Sequence, residues 1–230
     1  MKLLVVTAEA REVRGILAHA RGAHAAQVGA DWARSAVLGE YDVLLVANGA
    51  GPVRASAAVD RAAAFLPDAV VCTGFCGALD EKLGLASVVV ATEVIGANGR
   101  LNALSPHASL PHHHGVVLTI DHVAQSAAEK RSLRQSGAAA VDMEAAAVAG
   151  RAADLGFRFF CIKAVTDLAG EDLANDLNAA LRPDGHFDTI RILGSISGRP
   201  LVRLPELLRL RHRSARAARA LGDFFADCRF

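Results

Sequence analysis

Three acidic side chains stand where apolar runs end: Glu12 in TAEAREV (7–13), Glu144 in VDME (141–144) and Asp167 in IKAVTD (162–167). In open α/β sheets, ligands bind outside the carboxyl ends of the strands. The three carboxylates are therefore expected to converge on one pocket. Carboxyl groups held in unlike environments do general acid–base work, one protonated and another ionised. Each also has a plain structural use. Glu12 and Glu144 suit a first helical turn, where the helix dipole favours an anion, and Asp167 suits a cap after a strand. Met143, between Asp142 and Glu144, reads either as core packing or as a ligand contact. Lys163 precedes Asp167 by four residues. Strand alternation puts Lys163, Val165 and Asp167 on one face, where the amine tunes a carboxylate, pairs with one or faces solvent.

The elements that must position these groups are legible as short apolar runs. They are LLVVTA (3–8), DVLLVANG (42–49), DAVVCTG (68–74), ASVVVATEVIG (86–96), GVVLTI (115–120) and FRFFCIKAVT (157–166). Continuous rather than alternating hydrophobicity marks strands buried on both faces. Helical stretches intervene at about 10–20 and 52–65, the second with Pro52 in its first turn. An Ala-rich helix follows VDME. Strands alternating with helices predict an α/β fold around a largely parallel or mixed sheet. Residues 97–114, rich in Gly, Asn, Pro and His, read as a surface loop. From 186 to 230 the pattern is mostly helical, broken by SGRP (197–200) and by Pro205.

With 230 residues, 52% of them hydrophobic and 21% charged, the chain can bury a large core, and 5% aromatics make that core mostly Ala, Val and Leu. A single domain over 1–230 is expected, with a basic amphipathic segment at 199–230. Residues 199–219 carry seven arginines and only Glu206 in opposition, on a chain whose net charge is +1. The body is thus mildly acidic, and no nucleic-acid partner is expected. LVRLPELLRLRHR (201–213) mixes leucines with arginines. It fits either a peripheral contact with an anionic membrane face or a helix docked on the body with solvated arginines. Glu9, Arg11, Glu12 and Arg14 interrupt what would be a signal peptide's apolar centre, and no run is long enough to span a membrane. Cys72, Cys76, Cys161 and Cys228 form no CxxC pair and read as reduced, buried thiols of a cytoplasmic protein.

NGAGPV (48–53) and TGFCGAL (73–79) are Gly-bearing turns after strands that allow close backbone approach. Neither completes GxGxxG, since Arg54 stands where a third Gly would be. His112, His113 and His114 are adjacent rather than at helical spacing, so a solvated loop is expected there, not a metal site. Neither cofactor nor metal is expected.

Taken together and in order, TAEAREV, NGAGPVRA, TGFCGALDEKLGLASVVV, VDMEAAAVA and IKAVTD resemble the nucleoside phosphorylase/nucleosidase superfamily, and within it the methylthioadenosine/S-adenosylhomocysteine nucleosidases. The resemblance covers roughly residues 1–170. It implies a three-layer α/β/α sandwich with a central mixed sheet, a homodimer, and cleavage of a purine nucleoside's N-glycosidic bond. It implies that Glu12 activates water, that Asp167 protonates the purine at N7, that Glu144 binds the ribose hydroxyls and that Met143 packs on the sugar. Gly74, Phe75 and Val123 fall beside the substrate. Val123 and Ala124 stand where the family carries an aromatic and an aliphatic residue, a departure that bears on base stacking. Phe75 follows TG, where phosphate-binding relatives carry a hydroxyl, and Glu12 repels an anion; hydrolysis is expected over phosphorolysis, although Arg11 and Arg14 are available to phosphate. The C-terminal third, DLNAALRPDGHFDTIRILGSISGRPLVRLPELLRLRHRSARAARAL, resembles the hopanoid-associated members, which implies adenosylhopane as substrate. A housekeeping methylthioadenosine/S-adenosylhomocysteine nucleosidase or phosphate-dependent purine nucleoside phosphorylase, and a non-catalytic membrane-associated nucleoside-binding protein, are the alternatives.

Overall fold

The computed structural model describes residues 1–188, 190–191 and 200–230. In chain order the elements are β1 (Lys2–Thr7), α1 (Arg14–His19), β2 (Arg21–Ala25), β3 (Trp32–Leu38), β4 (Tyr41–Ala47), α2 (Pro52–Ala62), β5 (Ala69–Ala78), β6 (Val88–Gly96), β7 (Gly99–Asn102) and β8 (His113–Thr119). They continue with α3 (Ala127–Arg134), β9 (Ala140–Asp142), α4 (Ala145–Asp154), β10 (Arg158–Asp167), α5 (Leu177–Ala180) and α6 (Pro200–Asp227).

The expected α/β class with a mixed, helix-flanked sheet is what forms. Strand β5 is its hub. It pairs in parallel with β1 on one side and β10 on the other. Its last residues, Gly77 and Ala78, pair antiparallel with β9. Beyond β9 the path runs through β8 and β6 and returns to β10, so half of the sheet closes on itself. The other half extends from β1 through β4 and β3 to the edge strand β2.

Successive residues of β1 show why its run is apolar throughout. Leu4 and Val6 join the core beneath α2 and α4, while Leu3 and Val5 join the core beneath α1 and α6. A strand covered on both faces has no polar side to show. Strand β2 is exposed along its whole length, which is why RGAHA carries no apolar signal. The stretch read as a loop at 97–114 holds β7 and the first residues of β8. Its Gly and Asn residues serve a tight hairpin instead. The expected break at Pro205 is absent, because α6 runs through it. Pro205 lies near the helix start, and the buried Glu206 carboxylate accepts the amides of Ala174 and Asn175 at 2.7 Å each, tying that turn to the body. The break expected at 197–199 lies outside the described residues.

Helices α1 and α6 cross backbone to backbone. A Cβ on Gly15 would come within 1.9 Å of the Ala218 carbonyl oxygen, and one on Gly222 within 2.3 Å of the Gly15 carbonyl carbon. Gly15→Ala must push the two helices apart. It is expected to lower stability by about 1–3 kcal/mol, read as a fall in melting temperature. Gly170→Ala, whose added carbon meets nothing within 4 Å, should leave the melting temperature unchanged.

Candidate active site

The carboxyl end of β5 carries glycine at 74 and 77, and each faces an acidic side chain. A Cβ on Gly74 would lie 2.7 Å from Glu12 Oε2, and a Cβ on Gly77 would lie 2.8 Å from Asp167 Oδ2. Only glycine leaves the two carboxylates room against the strand. Gly74 also holds a φ of +121°, which side-chain-bearing residues rarely adopt.

Glu12 is buried in the turn between β1 and α1, ahead of the helix rather than in its first turn. The Thr7 hydroxyl and the amides of Ala8 and Glu9, at 3.1 and 3.2 Å, donate to its Oε2. The Phe75 amide donates to its Oε1 at 3.3 Å. Four donors fix the carboxylate at the mouth of β1.

Glu144 is the residue that opens α4, yet its side chain does not cap that helix. Its Oε1 instead accepts the Gly51 amide at 3.1 Å, from the glycine turn after β4. Burial pushes its pKa up to about 7; Asp142 and Glu12 push the same way, while Lys163 opposes them. Capping falls to Asp142, whose Oδ2 accepts the Ala145 amide at 2.9 Å and whose Oδ1 accepts the Thr119 hydroxyl at 2.7 Å.

Lys163 is fully buried, and its amine lies 2.7 Å from Asp142 Oδ2 and 3.6 Å from Glu144 Oε2. Burial alone would favour the neutral amine, but the facing carboxylates outweigh it and raise its pKa well above the ordinary lysine value. The solvent-facing reading of Lys163 is thereby corrected. So is its pairing in direction with Asp167, because the register of β10 against β5 shifts between Val165 and Asp167. Such an irregularity re-aims a side chain at a strand end.

Asp167 meets a different cation. Lys130 of α3 is fully buried and bonds Asp167 Oδ2 at 2.5 Å and the Leu168 carbonyl at 2.9 Å. The Thr166 hydroxyl donates to Oδ1 at 3.0 Å. Burial raises the Asp167 pKa above its ordinary value, and the Lys130 ammonium only partly offsets that.

An apolar wall completes the cluster. Met143 packs with Ala8, Ala50, Val123 and Leu181. Val123 exchanges two hydrogen bonds with the Asn178 side chain, at 2.8 and 2.9 Å. The Ala50 amide donates to the Gly185 carbonyl at 2.7 Å. The 177–185 segment thus lies across the wall. Phe75 points elsewhere: its ring joins the core on the α1 and α6 side. Ala124 packs with Leu79, Ala138 and Val141, away from Met143.

Residues 2–109 and 100–184 match the phosphorylase superfamily. The chain belongs to that superfamily. Solved structures of similar fold include the 5′-methylthioadenosine/S-adenosylhomocysteine nucleosidase of S. pneumoniae with the transition-state inhibitor MT-ImmA, at 19% identity, TM-score 0.71 and 99% of each chain covered. The futalosine hydrolase of Helicobacter pylori aligns at 15% identity and TM-score 0.70, covering 96% of this chain and 95% of that one. The nucleosidase of Colwellia psychrerythraea 34H, in complex with adenine, aligns at 21% identity and TM-score 0.65, over 93% and 95% of the two chains. No curated protein sequence matches significantly.

In this phosphorylase-superfamily enzyme, Glu12 and Asp167 line the end of β5, and Glu144 sits between the glycine turn at Gly51 and the Lys163 amine. Sequence reasoning missed Lys130, Asn178 and Leu181. The start of the helix that carries Lys130 has a signal in the sequence, an S-x-x-E cap in which Ser126 accepts the Glu129 amide at 3.1 Å. Nothing local tells a buried lysine on a short helix from a solvated one. Among the described residues, no three His, Cys, Asp or Glu side chains group as a metal site, and no helix is long and apolar enough to cross a membrane.

Proposed function

We propose that the chain hydrolyses the N-glycosidic bond of a 5′-substituted adenosine and releases adenine. The observation that carries this reading is the placement of Glu12 and Asp167 against Gly74 and Gly77 of one strand. The two carboxyl groups have unlike partners, backbone amides and the Thr7 hydroxyl for Glu12, the buried Lys130 amine and the Thr166 hydroxyl for Asp167. Cleavage passes through a cation-like sugar, which nearby carboxylates stabilise electrostatically. Glu12 takes a proton from water, and the hydroxyl adds to the anomeric carbon. The bond to the purine nitrogen breaks as Asp167 delivers a proton to N7. Glu144 accepts the ribose hydroxyls, with Met143 and Val123 against the sugar and base. Lys130 holds Asp167 in place. Phosphate has poor support as the acceptor: Arg11 is paired with Glu9 at 2.5 Å, and the Thr73 hydroxyl is spent on the Ile162 carbonyl.

Adenosylhopane is the substrate we favour, with ribosylhopane as product. The support is the C-terminal resemblance to hopanoid-associated members and the apolar Phe75 ring, which faces the α1 and α6 side rather than the carboxylates. A homodimer working in the cytoplasm belongs to the same reading; the free, buried cysteines fit a reducing compartment. The test is adenine release by purified protein from methylthioadenosine and from adenosylhopane, each with and without phosphate. Release without phosphate, faster from adenosylhopane, is expected. A strict phosphate requirement would overturn hydrolysis. Preference for methylthioadenosine would make this a housekeeping nucleosidase, and no release from either would leave a nucleoside-binding protein.

A further inference from the structure

Helix α6 has two unlike halves. Ala217, Leu221, Phe224 and Phe225 are buried and build the core beneath α1. The first turns show leucines to solvent instead: Leu201 is 90% exposed, Leu204 46% and Leu208 59%. Successive spacings of three or four residues put Leu201, Leu204, Leu208, Arg211, Ala215 and Arg219 on one stripe of the helix. The apolar part of that stripe therefore runs directly into its basic part.

The basic part borders a cleft of about 680 Å³ between α1 and α6. Arg11 and Arg14 line it from the α1 side, Arg211 and Arg219 from α6, and Phe75 lies in its wall. Arg14, Arg211, Arg216 and Arg219 have no acidic side chain at ion-pair distance among the described residues, while Asp223 is engaged by His19 at 2.9 Å. The Phe75 amide is the one that holds Glu12. Phe75 thus stands between the cleft, which its side chain lines, and the Glu12 carboxylate, which its amide holds.

We infer that the α1 and α6 face docks on an anionic phospholipid bilayer. Leucines 201, 204 and 208 enter the interfacial region, and the unpaired arginines lie against lipid phosphates. Charge selects this occupant over a second copy of the chain, because a two-fold contact through the face would set arginines against arginines. The docking stands on the surface alone. That the cleft admits an amphiphilic nucleoside from the bilayer rests on the proposed function, which flotation does not probe.

The experiment is flotation of the full chain with phosphatidylcholine vesicles, with and without phosphatidylglycerol. Wild type is expected to float with the anionic vesicles, and salt should weaken that binding. Leu201→Ser/Leu204→Ser/Leu208→Ser should lose binding roughly tenfold or more, and Arg211→Glu/Arg219→Glu to a similar degree, at roughly fivefold for each basic residue removed. Adenine release from methylthioadenosine and the melting temperature, both unchanged in the leucine variant, show that it folds. Equal flotation with neutral and anionic vesicles would overturn the inference, as would unaltered flotation of the leucine variant. A lipid-free change of the leucine variant to a smaller assembly would overturn it too, by assigning the face to self-association.

Discussion

Asp167→Asn is expected to cut adenine release by roughly 10²–10⁴-fold, the range that a positioned general acid supplies. The amide oxygen can still accept from Lys130, so the buried ammonium keeps a partner and the fold is retained. What the amide cannot do is give up a proton to the purine. The pH profile follows from the raised pKa of Asp167. The protonated, competent form persists to higher pH than for an ordinary aspartate, and the wild-type rate falls as pH rises through that elevated value. This limb should vanish in Asp167→Asn. A nucleoside whose leaving group departs without protonation should restore much of the variant's rate. Steady-state kinetics on both substrates check this. A uniform loss on both would mean that Asp167 only orders the site.

Lys163→Met should produce the largest stability loss, about 3–5 kcal/mol, as for removing one partner of a buried ion pair. Lys163, Asp142 and Glu144 are all buried, and the amine serves both carboxylates and the Thr73 carbonyl at 3.3 Å. Without it, Asp142 caps α4 as an uncompensated buried anion. Asp142→Asn keeps an acceptor for the Ala145 amide and removes that charge, so the double variant should regain part of the loss. Glu144 in Lys163→Met loses its one attractive partner charge, and its pKa rises further above about 7. A carboxyl whose folded pKa exceeds its unfolded value favours the native state at low pH, and this contribution fades as pH climbs through the folded value. The deficit of Lys163→Met should therefore shrink as pH is lowered. Chemical denaturation across pH measures it. An equal deficit at all pH values would place the cost in packing rather than charge.

The apolar runs LLVVTA, DVLLVANG, DAVVCTG and FRFFCIKAVT were legible because burial on both faces imposes one side-chain character at every position. Glu12, Glu144 and Asp167 were marked as candidates because each acid follows shortly on an apolar stretch, where a charged side chain departs from the local pattern. Strands β2 and β7 were not, since an exposed edge or a short hairpin obeys backbone pairing and carries little side-chain pattern. Pro205 misled because its local preference was outweighed by the tertiary bonds of Glu206.

What the sequence determined by itself is therefore the class of fold and its doubly buried central strands, which depend on local pattern. The tertiary structure alone decided which cation meets which acid. Lys163 lies on the same strand as Asp167 yet pairs with Asp142, while Asp167 receives Lys130 from a helix thirty-seven residues away. Partnership between buried charges depends on which side chains the closed sheet brings within a few ångströms, and separation along the chain carries no record of that distance.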